Sequence, residues 1–76
     1  MIVQNYTEKG RQDGKTLVIA SMLSKGVPAD TSTLPLDGRD VKGLGFNHVF
    51  YPGSTIFDTE NVELWMLQED YSWTKL

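Results

Sequence analysis

Residues 53–76 read GSTIFDTENVELWMLQEDYSWTKL, the part of the chain with the clearest secondary-structure signal. Three strand-like runs alternate with two polar turns. Ser54–Phe57 leads through Asp58-Thr59-Glu60-Asn61 into Val62–Leu67, and Gln68-Glu69-Asp70-Tyr71 leads into Ser72–Leu76. Val62, Leu64 and Met66 alternate onto one face of the middle run, as in a half-buried strand, while Trp65 and Leu67 load the other. A strand apolar on both faces is central in its sheet or covered by a second layer. The stretch therefore predicts a β-meander whose turns are shaped by Gly53, Asp58 and Thr59. An aspartate in that place accepts backbone N–H bonds from residues just ahead of it.

Upstream, GFNHVFY (45–51) holds Phe46, Phe50 and Tyr51, and Pro52-Gly53 turns from it into the meander. Between Gly26 and Gly45 the chain loses regularity, with Pro28, Pro35 and several glycines. Proline removes a backbone donor and bars its predecessor from helical conformation, so an extended segment is expected. Two roles fit it: an arm lying on a neighbouring subunit, or a surface loop held down by Leu34 and Leu36. Nearer the start, Ile2–Tyr6 reads as a short strand with Ile2 and Gln4 on one face, and Thr7–Gly14 as a loop containing an Asp-Gly turn. Thr16–Leu23 (TLVIASML) is rich in β-branched residues and reads as a strand antiparallel to Ile2–Tyr6. A short helix over 16–25, stopped by Gly26, stays open as the alternative. The expected fold is all-β, a small antiparallel meander of about four or five strands. It makes one domain over 1–76: a hairpin at 1–25, an extended loop or arm at 26–45, and the meander at 46–76.

The chain has 76 residues and no cysteine, so neither disulfides nor thiolate metal sites are available. Domains of this size are marginally stable without staples or partners. Two Trp, three Tyr and three Phe raise the apolar area available for burial, and with it the expectation of a homo-oligomer or a larger partner. The net charge of −3 and the dilution of Lys9, Arg11 and Lys15 by Glu8 and Asp13 point away from nucleic acid. No run reaches the roughly 18 apolar residues of a membrane span. The N-terminus lacks the basic start and apolar stretch of a signal peptide, so the product is expected to stay in the cytoplasm where it is made.

No cofactor, metal or catalytic residue is expected. The single histidine, His48, has no Ser or Cys in a nucleophile context beside it in sequence. The acidic residues Asp58, Glu60, Glu63, Glu69 and Asp70 fall in or beside two separate turns and lack the spacing of a calcium loop. Interface candidates are Leu34, Leu36, Phe46, Phe50, Tyr51, Trp65, Tyr71 and Trp73. Tryptophans on adjacent strands commonly pack as a cross-strand core pair. Trp65, Tyr71 and Trp73 could instead form a stacking platform for a peptide or carbohydrate.

Gly53-Ser54, Asp58-Thr59, the run Leu64–Leu67, the acidic turn and Trp73 together resemble a C-terminal module of small structural proteins of tailed bacteriophages, of the head-fibre and capsid-accessory type. Leu34-Pro35 and Val41-Lys42-Gly43 are similar to the lead-in such proteins carry, so the resemblance covers Leu34 to Leu76. Glu60 and Trp65 depart from it, standing where many members have Gly and Tyr. The resemblance implies a non-enzymatic virion structural protein, made in the host cytoplasm. It would attach to capsid or fibre-base proteins through protein–protein contacts.

Overall fold

A computed structural model describes residues 1–76. Its central element is set by Asp13-Gly14, both at positive φ (53° and 77°), the geometry of a tight two-residue hairpin turn. That turn joins β1 (Ile2–Gln12) to β2 (Lys15–Ser24) in an antiparallel pair running from Ile2↔Leu23 to Gln12↔Lys15. The expected loop over Thr7–Gln12 is thus strand. Its residues are exposed on both faces, so no apolar alternation marked it. Register shifts between Val3 and Asn5, and between Glu8 and Gly10, bend the strand. The first places Asn5, not Gln4, on the face of Ile2. Residues 16–23 are strand, not helix.

The other edge of β2 is filled in two pieces. β3 (His48–Phe50) pairs with Thr16–Val18, and β4 (Thr55–Asp58) pairs with Ser21–Ser24, both parallel to β2. At the gap between them the edge of β2 is satisfied by other groups. The Tyr51 N–H donates to the Val18 carbonyl at 2.7 Å, and the Ala20 N–H donates to Ser54 Oγ at 3.1 Å. The Ser54 hydroxyl in turn donates to the Tyr51 carbonyl at 2.8 Å. Ser54 is fully buried, so Ser54→Ala strands a buried backbone donor. It is expected to lower unfolding free energy by about 1–3 kcal/mol, measured by denaturant titration.

From β4 the chain makes the expected meander through β5 (Glu63–Leu67) and β6 (Trp73–Lys75), with Phe57↔Leu64 and Leu67↔Trp73 as registers. The result is one mainly-β sheet of six strands, in the order β1-β2-β4-β5-β6 with β3 beside β2. The all-β expectation stands. The strands number six rather than four or five, and the pairings of β2 with β3 and β4 are parallel. A parallel pair needs a long crossover, which accounts for the irregular middle of the chain.

Within the chain that crossover, expected as an arm or a surface loop, packs on its own sheet. It straps the chain's own sheet: Leu34 and Val41 are buried in the same core as Val18, Ala20, Met22, Phe50, Ile56, Leu67 and Trp73. A single 3-10 turn, Thr31–Thr33, is capped by Asp30, which accepts from the Ser32 N–H. Leu36 is exposed, so the strap is held by Leu34 and Val41 rather than by the Leu34 and Leu36 expected. Backbone bonds tie the strap at both sides. The Gly38 N–H donates to His48 and the Phe50 N–H to Leu36, while the Val3 N–H donates to Lys42 and the Lys42 N–H to Met1. Gly43, at φ 98°, lies so near β1 that a Cβ there would sit 2.5 Å from Val3 Cγ1. The strap therefore covers one face of the sheet and closes against β1 and β3, on either side of β2.

Candidate interaction surface

Residues directly paired across strands share a face of the sheet, so the registers sort every strand residue into two sets. The set beneath the strap contains every buried strand residue: Val18, Ala20, Met22, Phe50, Ile56, Asp58, Leu67 and Trp73. The opposite, outer set contains no buried residue, yet it is apolar. One row across four strands is Ile2, Leu23, Phe57 and Leu64. The next is Asn5, Ser21, Thr55, Met66 and Thr74, followed by Thr7 with Ile19 and by Leu17 with Val49. Ile2 is 51% exposed and Leu64 38%; Leu17, Ile19, Leu23, Val49, Phe57 and Met66 are half-buried. None of these positions carries a charge. Lys15, further along the same face at the hairpin end, turns its ammonium over the Phe46 ring, 5.3 Å from its centroid.

The expected interface residues divide differently. Leu34, Phe50 and Trp73 belong to the interior. The Trp73 indole N–H donates to the Pro35 carbonyl at 3.0 Å, and its ring meets Phe50 edge to face with centroids 6.5 Å apart. Trp65 lies on the inner face, packed against the core, with its Nε1 buried and unpaired. Leu36, Phe46, Tyr51 and Tyr71 are exposed, but none of them belongs to the outer rows. Trp65, Tyr71 and Trp73 do not share a platform, because Trp73 is only 5% exposed and Tyr71 stands in the β5–β6 turn at φ 63°. His48 packs edge-on to Tyr6, with centroids 5.5 Å apart. No three His, Asp or Glu side chains converge as metal ligands.

Gly53, at φ 102°, lies in the turn before β4, and Thr59 ties the β4–β5 turn to the end of β2, its N–H donating to the Ser24 carbonyl at 2.9 Å. Asp58 does more than shape its turn. Its Oδ1 accepts from the N–H groups of Gly26, Glu60 and Asn61 at 2.9–3.0 Å, and its Oδ2 from the Val27 N–H and the Asn61 amide. The carboxylate thereby pins the start of the strap to the β4–β5 turn. The Asn61 backbone N–H is the largest influence on its acidity. Against the opposing pull of desolvation, and with the Asn61 amide, Val27 and Glu60 adding to it, the group is held well below the usual carboxylate range. Asp70 repeats the local part only, accepting from the Ser72 N–H and hydroxyl.

The outer rows were not among the expected sites, although their signal is present in the sequence. Leu17, Ile19 and Leu23 in one run, and Leu64 and Met66 in another, are the second apolar faces of two-sided strands. Chemically the face offers shape and apolar area, which suits it to packing against another protein surface. No protein-family model, curated protein or solved structure matches this chain.

Proposed function

We propose that this protein is a non-enzymatic assembly subunit that works through protein–protein contacts. One observation carries the reading: the sheet is covered on one face by its own strap and presents a second face whose rows from Ile2 to Val49 carry apolar side chains and no charge. Monomeric domains rarely leave a contiguous apolar patch across several strands, and such patches mark interaction sites. The kind of assembly is supported by the resemblance of residues 34–76 to small structural proteins of tailed phages. On this reading the chain is a virion component that sits on capsid or fibre-base proteins. The test is compositional. Particles purified by density gradient from the genome that encodes this chain are expected to carry it at a fixed copy number, read by quantitative mass spectrometry. Particles that lack it, with the protein left entirely in the soluble fraction, overturn the virion reading.

A further inference from the structure

We propose that the surface around the β5–β6 turn is a peptide-binding site, independent of whatever the outer face meets. Its ligand is a segment that carries an arginine or lysine side chain close to an aliphatic one. Two clefts adjoin there. One, of about 310 Å³, is lined by Tyr51, Pro52, Glu69 and Tyr71. The other, of about 340 Å³, is lined by the buried Leu34 and Trp73, the exposed Leu36 and Tyr71, and the polar Thr31 and Ser32. Tyr71 belongs to both and joins them. Each cleft lies at the small end of the range for ligand sites, with room for a side chain rather than a whole small molecule. Two side chains of one segment fill the pair.

The backbone brings these residues together. The Gly53 N–H donates to the Leu67 carbonyl at 2.9 Å, which sets the Tyr51–Gly53 turn against the end of β5 and the turn that follows it. That second turn is closed by the Gln68 N–H on the Ser72 carbonyl and the Tyr71 N–H on the Gln68 carbonyl, each at 2.9 Å. Both tyrosines thus stand on bonded backbone, which lowers the ordering cost of a ligand. Tyr71 is also at φ 63°, the conformation that three-residue hairpin loops usually give to glycine. A bulky side chain is disfavoured there, and residues held in such conformations cluster where ligands are clamped.

Chemistry selects the ligand. Two phenol rings and a carboxylate around a small cleft suit a cation, which the ring faces attract and Glu69 neutralises. No group of this chain meets that demand. Its ion pairs are Arg39–Asp37 and Lys75–Glu63, and no lysine or arginine lines either cleft. Asp30 and Asp70, next in sequence to the lining residues Thr31 and Tyr71, add negative charge beside the second cleft. Arginine fits best, because a guanidinium both stacks on aromatic faces and pairs with a carboxylate. The leucines and indole of the second cleft suit an aliphatic side chain. An acidic peptide or a nucleic acid would meet carboxylates and no cation.

NMR titration of the isotope-labelled chain with the peptide acetyl-Gly-Leu-Ser-Arg-Gly-amide tests the proposal, with circular dichroism melting of every variant. Binding is expected to saturate with a Kd on the order of 1 mM, the scale of a few exposed contacts. Shifts should cluster at Tyr51, Leu36 and residues 69–73. Replacing the peptide's arginine by citrulline, which keeps the shape and removes the charge, is expected to abolish binding, and serine for its leucine to weaken it. Glu69→Gln and Tyr51→Ser should each weaken binding at least about threefold. Glu8→Gln, on β1 at the opposite edge of the sheet, should leave it unchanged. Tyr71→Gly removes the residue common to both clefts and suits the backbone there, so it is expected to lose the peptide while melting no lower than the parent. No saturation by about 10 mM peptide, ten times the expected Kd, overturns the proposal. So does a citrulline peptide that binds as well as the arginine one, or a Tyr71→Gly variant that binds like the parent. Shifts scattered over the surface and insensitive to Glu69→Gln and Tyr51→Ser overturn it too, since they report only general attraction of a cation to a chain of charge −3.

Discussion

Trp73→Ala is expected to abolish cooperative folding at physiological temperature. The indole is 5% exposed, pairs with Leu67 on the inner face, meets Phe50 edge to face and donates to Pro35 in the strap. Truncation removes a wall of the core, leaves a cavity, and takes the donor from the Pro35 carbonyl. Losses of this kind amount to about 3–5 kcal/mol. A domain of this length has only several kcal/mol in total, so the variant should lack a melting transition above 37 °C. Trp73→Phe separates the two contributions. It keeps an apolar ring for Phe50 and loses the N–H, and is expected to give up about 1–2 kcal/mol. Parent fluorescence supplies a second readout, because a buried indole emits to the blue of one in water. An alanine variant that melts within a few degrees of the parent would refute the packing role of Trp73.

The second large effect belongs to Asp58. Both Asp58→Ala and Asp58→Asn are expected to lower Tm by roughly 15–25 °C, through backbone donors left unpaired in a buried site. Alanine leaves all of the donors without an acceptor. Asparagine restores one acceptor oxygen but points an amide donor at the other N–H groups. The carboxylate also sets the acid limb of stability. Its folded pKa is depressed, so its contribution is fully present above the unfolded value near 3.9. It drains away below about pH 4, as pH falls toward and through the folded value. Asp30 and Asp70 are lowered too, chiefly by the Ser32 and Ser72 hydroxyls, and act in the same direction. They stand in exposed turns, where solvent screening keeps their share small. In melts from pH 7 to pH 2, the parent should lose Tm steeply below about pH 4, and Asp58→Asn should follow a much flatter curve. Parallel curves for the two proteins would show that Asp58 is not the principal acid-sensitive group.

The C-terminal meander was legible because its strands alternate and its turns contain the residues turns need; β4, β5 and β6 fall within a residue or two of the expected runs. The N-terminal strand was only half legible. Thr7–Gln12 is exposed on both faces, so burial selected no pattern there, and the Asp13-Gly14 turn was the only trace that both strands continue to the tip. The parallel pairings left no local mark. Asp58 reaches Gly26 across 32 positions, and Val41 sits between Asp40 and Lys42 with nothing nearby to identify it as core. The choice of face was hidden for a different reason. In TLVIASML and in ELWML both faces are apolar, so periodicity identifies strands without saying which side the strap will cover. The candidate surface was visible as two-sidedness. The aromatic residues drew attention instead, and several of those are the interior.

The parallel seating of β3 and β4 also dictates the order in which the molecule can be built. The β1–β2 hairpin closes through a two-residue turn and can form within microseconds. The far edge of β2 then waits for partners more than two dozen residues downstream, and contacts of such sequence separation slow folding because the intervening chain must first be confined. Trp73 is synthesised after every other core residue, and it is the group that fastens the strap from beneath. Until it leaves the ribosome, the core lacks its last wall and the strap its indole anchor. The mature fold is therefore completed only once Trp73 has emerged, and the interval before it is when the chain is most exposed to mispairing with its neighbours on a polysome.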